Sequence, residues 1–234
     1  MKTIGLLGGM SWESTAHYYQ AINEGIKSRL GGLHSAKISL FSVDFQPIER
    51  LQHQGDWSAC ADILTTHAKG IAASGADCLL ICTNTMHKVA PEVEEHLSIP
   101  LIHIADATAQ VLQRDGIRKV ALLGTRFTME EGFYKDRIQD NFGIEVIVPH
   151  SDDQTVVHDI IYQELCQGEI KSQSKDAYLA IIHSLYERGA EAVILGCTEI
   201  GLLVQQEDTL VKLYDTTLIH AQAAIEFALQ SDDG

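Results

Sequence analysis

Basic residues are scarce in this chain: 17 Lys and Arg stand against 32 Asp and Glu, which gives a formal net charge of −15. This charge argues against nucleic acids and anionic membranes as partners, because phosphate binding needs concentrated Lys and Arg. It does not exclude a small anionic ligand, which a few local groups can hold. No apolar stretch approaches the roughly 20 residues of a membrane span. The apolar run after Met1 is also too short for a signal peptide.

Cysteine is sparse as well, with five residues and no secretory signal. An odd count of this kind favours reduced thiols and a cytoplasmic location over a disulfide framework. We expect Cys60, Cys78 and Cys166 to be small core residues, because they lie in apolar or helical patterns. The eleven histidines show no ligand spacing typical of zinc, so no metal site is expected. The glycines near the N-terminus lack the Gly-x-Gly-x-x-Gly pattern of a dinucleotide site.

What the chain does contain is a series of short apolar runs that alternate with segments of helical period. This alternation predicts a parallel α/β architecture. The predicted strands are 3–8, 37–43, 77–82, 100–104, 118–123, 144–148, 191–196 and 211–214. The predicted helices are about 12–29, 57–73, 88–97, 106–114, 128–141, 153–167, 174–188 and 216–229. Thr128 to Glu131 fits a capping box, and Asp56 fits an N-cap.

The same short pattern occurs twice along the chain. An apolar run ends in Cys82, followed by Thr83, and a second run ends in Cys197, followed by Thr198. Cys82 follows the glycine of an Ile-Gly-Leu-Leu-Gly segment by 74 positions, and Cys197 follows the glycine of Val-Ala-Leu-Leu-Gly by 73. The repeat predicts two pseudo-duplicated lobes, each a mainly parallel sheet flanked by helices. Lobe 1 would be 1–104 plus 216–234, and lobe 2 would be 105–215.

Ligands of parallel sheets bind beyond the carboxyl ends of the strands, near the switch in strand order. We therefore expect the strand-end residues of both lobes to line one active-site cleft. A cysteine just before a helix start is expected to have a lowered thiol pKa. Two acid/base groups facing each other suit removal of a proton from one side of a carbon and its return from the other. Neighbouring Thr and Asn side chains and backbone N–H groups suit a carboxylate.

Four segments carry a family resemblance that covers nearly the whole chain. They are Gly8-Gly9-Met10-Ser11, the Asn-Thr-x-His run at 84–87, Leu123-Gly124-Thr125 and Gly196-Cys197-Thr198-Glu199. In these the chain resembles the aspartate/glutamate racemase superfamily of pyridoxal-phosphate-independent amino-acid racemases. The resemblance implies two pseudo-symmetric lobes with a cleft, no metal, no cofactor and two-base proton transfer. It also implies a homodimer, as in many relatives.

The first of the two sites departs from the family pattern. The family places cysteine directly before Asn-Thr, whereas here Thr83 holds that position and Cys82 lies one residue earlier. A shift of one residue in a strand points a side chain to the opposite face. The sequence therefore favours Thr83 in the cleft and Cys82 turned toward packing. Because a Thr hydroxyl is a weak base unless activated, we expect the enzyme to be biased, with Cys197 serving the L-substrate by the family's usual handedness.

The resemblance and the residues together predict a cofactor-independent racemase of aspartate or glutamate, with a broader range left open. Catalysis is assigned to Cys197 and Thr83, and either Glu199 or His87 could orient a proton-transfer group. Arg50 is the second choice for a side-chain contact after Gln52, and His103 and His220 are expected to be structural. The predicted substrate-binding residues are Met10, Ser11, Gln52, Asn84, Thr85, Thr125 and Thr198.

Two other functions remain open. One is a related cysteine-dependent reaction on small dicarboxylic acids, such as maleate isomerisation or malonate decarboxylation. The other is a non-catalytic, two-lobed protein that binds a small molecule. The change from Cys to Thr at the first site favours this alternative, because it removes one of the two catalytic thiols of the family.

Overall fold

The computed structural model describes residues 1–230, which form two compact units. Unit 1 contains Met1–Ile104 and residues 217–230, and unit 2 contains Ala105–Thr216. Each unit is an α/β structure built on one sheet of parallel strands, as the alternating pattern predicted. In unit 1 the strands are β1 (Ile4–Gly8), β2 (Ile38–Ser42) and β3 (Cys78–Ile81). In unit 2 they are β4 (Lys119–Gly124), β5 (Glu145–Ile147), β6 (Ala192–Gly196) and β7 (Lys212–Asp215).

Strand order is related in the two sheets: β2-β1-β3 in unit 1 and β5-β4-β6-β7 in unit 2. In each sheet the first strand in sequence lies next to the third, so the order switches between β1 and β3 and between β4 and β6. The registers pair Leu7 with Ile81 and Gly124 with Gly196. The chain segments that follow these paired strands therefore leave the sheet side by side, which is the usual place for a ligand site in such sheets.

The helices connect the parallel strands and cover the sheets. Asp56 caps α3 by accepting a hydrogen bond from the Ala59 N–H, as expected. Among residues 1–230, no helix combines the length and apolar character needed to cross a membrane. The helices are α1 (Trp12–Leu30), α2 (Phe45–Gln54), α3 (Trp57–Ala73), α4 (Ala90–Glu94), α5 (Ile104–Arg114), α6 (Arg126–Glu130), α7 (Gly132–Phe142), α8 (Ser151–Gln163), α9 (Ser172–Glu187), α10 (Ile200–Leu203) and α11 (Thr216–Leu229).

The C-terminal helix belongs to unit 1 because it packs on one face of that unit's sheet. Its Ala221, Ala224 and Ile225 share a buried cluster with α1 residues and with the side chains of β1 and β3 that point to this face. The two helices approach closely where a Cβ at Gly25 of α1 would clash with Ile225. The opposite face of the sheet is covered mainly by α3 and by the chain from Met86 to Val93, with a smaller contribution from α2. Burial on both faces explains why β1 and β3 are continuous apolar runs.

Unit 2 has its main core on the face covered by α8 and α9. Val193 and Leu195 of β6 point into this core, together with Ala121 and Leu123 of β4. Cys197, just beyond β6, belongs to the same cluster. The apolar face of the strand thus continues one step past its end and places the sulfur at the rim of the core.

Two predicted elements around residue 100 are wrong. The expected strand 100–104 contributes a single parallel bridge, Leu101 with Leu79, before α5 begins at Ile104. Pro100 has no N–H to donate, so a regular ladder cannot extend through it. The expected helix 88–97 is a 3₁₀ segment, Thr85–Val89, followed by the short α4. Pro91 lies at the start of α4, where its missing N–H does no harm, but it prevents one continuous helix through both segments.

The predicted helix 128–141 is in fact two helices, α6 and α7, and the capping box at Thr128 is wrong. Thr128 lies inside α6, and the N-cap is Thr125, whose hydroxyl accepts from the Thr128 N–H at 3.4 Å. Gln52 and Arg50, the two candidates for a contact with the substrate side chain, lie in α2. Asp44 caps that helix by accepting from the Gln46 N–H.

Candidate active site

The turn after β1 requires glycine at position 9. Gly9 has φ of +93°, and a Cβ there would clash with the backbone of Val43. Ser11 then caps α1, and its hydroxyl accepts from the Ser14 N–H at 3.3 Å. Met10 and Ser11 are 4% and 7% exposed, so the turn is buried almost completely.

Thr15 holds this turn in place, although sequence reasoning did not select it. Its hydroxyl accepts from the Gly9 N–H at 2.8 Å and donates to the Ser11 carbonyl oxygen at 2.8 Å. A Cβ at Gly8 would also collide with the Thr15 side chain. The signal was available in the spacing, because Thr15 lies four residues after Ser11 and hence one helical turn away.

Cys82 is a core residue. It is fully buried and shares a cluster with Cys78 and Leu80, which alternate along β3, and with Tyr18 of α1. Its backbone N–H donates to the Leu7 carbonyl oxygen at 2.9 Å, which extends the β1–β3 pairing by one step. Burial raises the pKa of the Cys82 thiol well above its ordinary value. These surroundings suit packing, and they do not suit a thiolate.

Thr83 lies at the turn that follows, with its N–H donating to the Ile81 carbonyl oxygen at 2.8 Å. It is 9% exposed, close to the 8% of Cys197 in unit 2. In the described residues 1–230, its hydroxyl makes no hydrogen bond to another group. Nothing in this part of the chain therefore acts as a base on the Thr83 oxygen.

His87 anchors the backbone around Thr83. Its Nδ1 lies 2.8 Å from the Thr83 carbonyl oxygen, and its Nε2 accepts from the Ile104 N–H at 3.2 Å. An accepting Nε2 assigns the proton to Nδ1, so the ring is neutral and donates to Thr83. Both nitrogens are engaged with the backbone. His87 therefore positions the turn and is not placed as a base for the Thr83 hydroxyl.

Two further histidines pack against His87 in the core of unit 1. The ring centroids of His87 and His103 are 4.5 Å apart, and those of His87 and His220 are 5.8 Å apart. His220 lies 2.9 Å from the Tyr18 hydroxyl through Nδ1 and 2.6 Å from the Ile102 carbonyl oxygen through Nε2. Burial lowers the pKa of His220 to about 4. The contacts of His220 agree with the structural role expected for it.

Asn84 and Thr85 begin the 3₁₀ segment that follows Thr83 and are 2% and 6% exposed. Asn84 occupies the N-cap position without a capping side-chain bond, so capping does not account for this residue.

Gln52, the expected contact for the substrate side chain, is a buried polar residue. It is 2% exposed, and its Nε2 lies 2.8 Å from the sulfur of Met86 in the segment after Thr85. Its Oε1 is buried and has no hydrogen-bond partner among residues 1–230. Arg50, on the same helix, is exposed. A buried amide with one end unsatisfied carries a free-energy cost of about 1–3 kcal/mol that a bound ligand could relieve.

In unit 2, the glycines before Thr125 and Cys197 allow their strands to approach closely. A Cβ at Gly124 would lie 2.8 Å from the Gly196 carbonyl oxygen, and one at Gly196 would lie 2.8 Å from the Leu123 carbonyl oxygen. Because Gly124 and Gly196 are register partners, Thr125 and Cys197 are the next residues along two adjacent strands. Unit 2 therefore brings these two predicted site residues to one edge of its sheet.

Cys197, Thr198 and Glu199 form a buried hydrogen-bonded group. The Cys197 thiol donates to Glu199 Oε2 at 2.9 Å, and the Thr198 hydroxyl donates to the same oxygen at 2.8 Å. Cys197 is 8% exposed and Glu199 is 3% exposed. A carboxylate so deeply buried needs such donors, because the loss of its hydration is costly.

The expectation of a lowered thiol pKa at Cys197 is wrong. Burial is the main reason that its pKa lies well above the ordinary value, and the Glu199 carboxylate raises it further by charge repulsion and by the hydrogen bond to the thiol. The helix that follows, α10, has only four residues and begins at Ile200. Its dipole is too weak to offset the loss of solvation. Cys197 is therefore a thiol in the resting structure.

Metal ligation is not indicated in the part of the chain that the structure describes. Residues 1–230 contain no group of three or more His, Cys, Asp or Glu side chains arranged to hold an ion.

Comparison with known proteins now identifies the family. Residues 7–224 match the family model described as Asp/Glu/hydantoin racemase. The chain belongs to this racemase family. Its two parallel sheets flanked by helices match the two-domain Asp/Glu racemase fold.

Three relatives illustrate the likeness. A Yersinia pestis structure, described as a candidate Asp/Glu racemase, is 53% identical, with a TM-score of 0.92 over 98% of this chain and 100% of that one. An aspartate racemase homologue from Pyrococcus horikoshii OT3 is 33% identical, with a TM-score of 0.85 over 98% and 100% of the two chains. The broad specificity amino-acid racemase RacX of Bacillus subtilis (strain 168) is 23% identical over 95% of this chain and 96% of its own. These homologues suggest an isomerase.

Proposed function

We propose that this protein is a cofactor-independent amino-acid racemase that works by α-proton abstraction and return. Cys197 and Thr83 would act on opposite faces of the same α-carbon. The observation that carries this proposal is the contrast between them: Cys197 donates a hydrogen bond to Glu199, whereas the Thr83 hydroxyl has no hydrogen-bond partner among residues 1–230. A thiol loses its proton far more readily than a hydroxyl, and Glu199 holds the Cys197 sulfur in place, while an unassisted hydroxyl is a poor base.

The consequence is a bias between enantiomers. Abstraction of the α-proton by Cys197 should be efficient for the enantiomer that presents its hydrogen to the sulfur, which family handedness assigns to the L-form. Abstraction by Thr83 from the D-form should be slow. The Thr83 side could still return a proton to a carbanion, because protonation of a strongly basic carbon needs only a weak acid.

The substrate's α-carboxylate is assigned to the strand-end groups of both units. Asn84, Thr85, Thr125 and the backbone N–H groups of Met10 and Ser11 are the proposed donors. Thr198 joins them, and because its hydroxyl proton is already donated to Glu199, we assign its contact to the backbone N–H.

The side chain of the substrate is assigned to Gln52. Its buried amide has one end without a hydrogen-bond partner, whereas the cation on the same helix, Arg50, is exposed. Aspartate and glutamate are the first candidates by family resemblance, and their side-chain carboxylate would bind the Gln52 Nε2–H in place of the Met86 sulfur. The unpartnered Oε1 is an acceptor and suits a donor on an uncharged polar side chain, so we propose a range broader than the acidic amino acids alone.

The decisive experiment is α-hydrogen exchange in D₂O, followed by mass spectrometry and chiral chromatography. Each enantiomer of aspartate, glutamate and several neutral amino acids should be incubated separately with the protein. We expect fast labelling of an L-substrate and slow labelling of its D-form. Equal, fast labelling of both would refute the asymmetric mechanism. No labelling of any amino acid would leave a non-catalytic binding protein as the better explanation, and turnover of unsaturated or malonate-type diacids would favour the related isomerase or decarboxylase.

Two expectations complete the proposal. A homodimer, expected from the family resemblance, is tested by light scattering on the purified protein. A cytoplasmic location, expected from cysteine usage, is tested by fractionation of cells that express the full chain.

A further inference from the structure

A buried carboxylate, that of Glu199, lies beside Cys197. Glu199 Oε2 accepts hydrogen bonds from the Cys197 thiol at 2.9 Å and from the Thr198 hydroxyl at 2.8 Å. One carboxylate oxygen therefore accepts hydrogen bonds from two consecutive side chains. Glu199 is only 3% exposed, and its carboxylate oxygen is hydrogen-bonded to a sulfur. A carboxylate that served only to make a helix surface soluble would be exposed to water.

We infer that Glu199 is a positioning residue for Cys197, which orients the sulfur and holds its proton through the S–H···O hydrogen bond. The bond restricts rotation about the Cα–Cβ bond of Cys197, so the sulfur lone pairs have a defined direction. This inference rests on the proposed function only where it concerns exchange of a substrate hydrogen.

Other titratable groups face the same sulfur and must be separated from Glu199. From the 3₁₀ segment after α8, Cys166 packs against the cluster that contains Cys197 and interacts with it electrostatically. From α9, the Tyr178 hydroxyl is buried and donates to the Val157 carbonyl oxygen at 3.1 Å. Burial raises the pKa of this hydroxyl, and the charges of Cys197, Cys166, Glu199 and Glu164 raise it further. Glu199 is the member of this set that accepts the thiol hydrogen bond.

The inference has a chemical consequence for pH dependence. A carboxylate that holds the thiol proton makes the thiolate less accessible at neutral pH, in line with the raised pKa of Cys197. Exchange of a hydrogen from an L-substrate, which needs the thiolate, should then increase with pH over the alkaline range. Removing the negative charge while retaining the hydrogen-bond acceptor should shift this increase to lower pH.

The test is alkylation of the full-length protein with iodoacetamide across pH, with Cys197 resolved by peptide mass spectrometry. In the wild type we expect the half-maximal rate for Cys197 at higher pH than for free cysteine in the same buffer. In Glu199→Gln the midpoint should move to lower pH, and alkylation at pH ~7.5 should accelerate at least about threefold. Each unit by which the pKa falls raises the thiolate fraction below the midpoint about tenfold, while the nucleophilicity of the thiolate falls by roughly half a logarithmic unit.

Controls separate this role from a general structural effect. Glu187→Gln removes an exposed carboxylate of α9 and should leave the Cys197 profile unchanged. Half-buried Cys166 reports in each sample whether the core of unit 2 has opened, because its labelling would then accelerate too. If Glu199→Gln does not fold, Glu199→Asp tests the same hydrogen bond, because the shorter side chain withdraws the carboxylate from the sulfur. An unchanged Cys197 midpoint in folded Glu199→Asp, or a wild-type midpoint at or below that of free cysteine, overturns the inference. An unchanged Cys197 profile in folded Glu199→Gln overturns it as well.

A second arm measures α-hydrogen exchange from the L-substrate against pH. In Glu199→Gln its rise should move to lower pH by the same interval as the alkylation midpoint. A shift in alkylation with no exchange in any variant would support the pairing of Glu199 with Cys197 and refute the proposed racemase activity. The two failures are thereby distinguishable.

Discussion

Replacing each strand-end cysteine by serine should separate packing from catalysis. Cys82 is fully buried among Leu80, Tyr18 and other apolar side chains, so a serine hydroxyl there would be poorly satisfied. We expect Cys82→Ser to lower the free energy of unfolding by about 1–3 kcal/mol. At ~3 °C per kcal/mol for a chain of this size, thermal unfolding should occur roughly 3–9 °C earlier.

The same substitution at Cys197 should have the opposite profile. A serine hydroxyl can replace the thiol as donor to Glu199 Oε2, so stability should change by less than about 1 kcal/mol. Its much higher pKa makes it a far weaker base than a thiol, and α-hydrogen exchange from the L-substrate should fall by about 10²-fold or more.

Both variants are assayed by calorimetry and by exchange in D₂O below their unfolding temperatures. Cys82→Ala serves as a matched control, because it removes the sulfur without burying a hydroxyl and should recover part of the lost stability. The assignment of Cys82 to packing would be wrong if Cys82→Ala, while folded, lost tenfold or more of its exchange activity. The assignment of Cys197 would be wrong if Cys197→Ser kept wild-type exchange.

Three other outcomes follow from the geometry. Thr83→Val, which removes the hydroxyl at nearly constant volume, should abolish formation of the opposite enantiomer while exchange from the L-substrate stays within about threefold, as chiral chromatography and mass spectrometry would show; strong loss of both would assign Thr83 to binding. Gln52→Leu should raise KM for polar substrates about tenfold without lowering the unfolding temperature, because the Oε1 it removes has no partner in the described chain; an unchanged KM would remove Gln52 from the site. The free energy of unfolding should fall by up to about 3 kcal/mol between pH ~6.5 and ~4, because His220 is protonated in the unfolded chain over this range but, with its pKa of about 4, stays neutral in the folded protein. Denaturant titrations of His220→Gln should show a smaller change of this free energy with pH.

Sequence reasoning succeeded where the pattern is local and repeated. The continuous apolar runs of β1, β3, β4 and β6 are buried on both faces, so their hydrophobicity alone indicated parallel strands. The N-cap at Asp56 is set by neighbours within one turn, and it was read correctly. At residues 100–104 the apolar character suggested a strand, yet Pro100 and the start of α5 leave only one bridge.

The site was harder to read because its chemistry depends on distant or buried neighbours. Strand-end position suggested a low thiol pKa at Cys197, but burial and Glu199 have the larger effect. His87 was one of two residues expected to orient a proton-transfer group, but the structure shows both of its ring nitrogens on backbone groups, one of them at Ile104. Thr15 was missed because its four-residue spacing from Ser11 is shared by many helix positions, and only the structure shows its hydroxyl bonded to the preceding turn.

The amino-acid sequence by itself determined the parallel α/β class, the internal repeat and the family, because these depend on patterns along the chain. It also located the difference between the repeats, where Thr83 occupies the place that Cys197 holds in the second copy. Only the tertiary structure decided how each of these residues is surrounded. The solvation, charge and hydrogen bonding of a side chain are set by the residues that fold around it. Within residues 1–230, the fold brings a carboxylate into hydrogen-bond contact with Cys197 and none with Thr83.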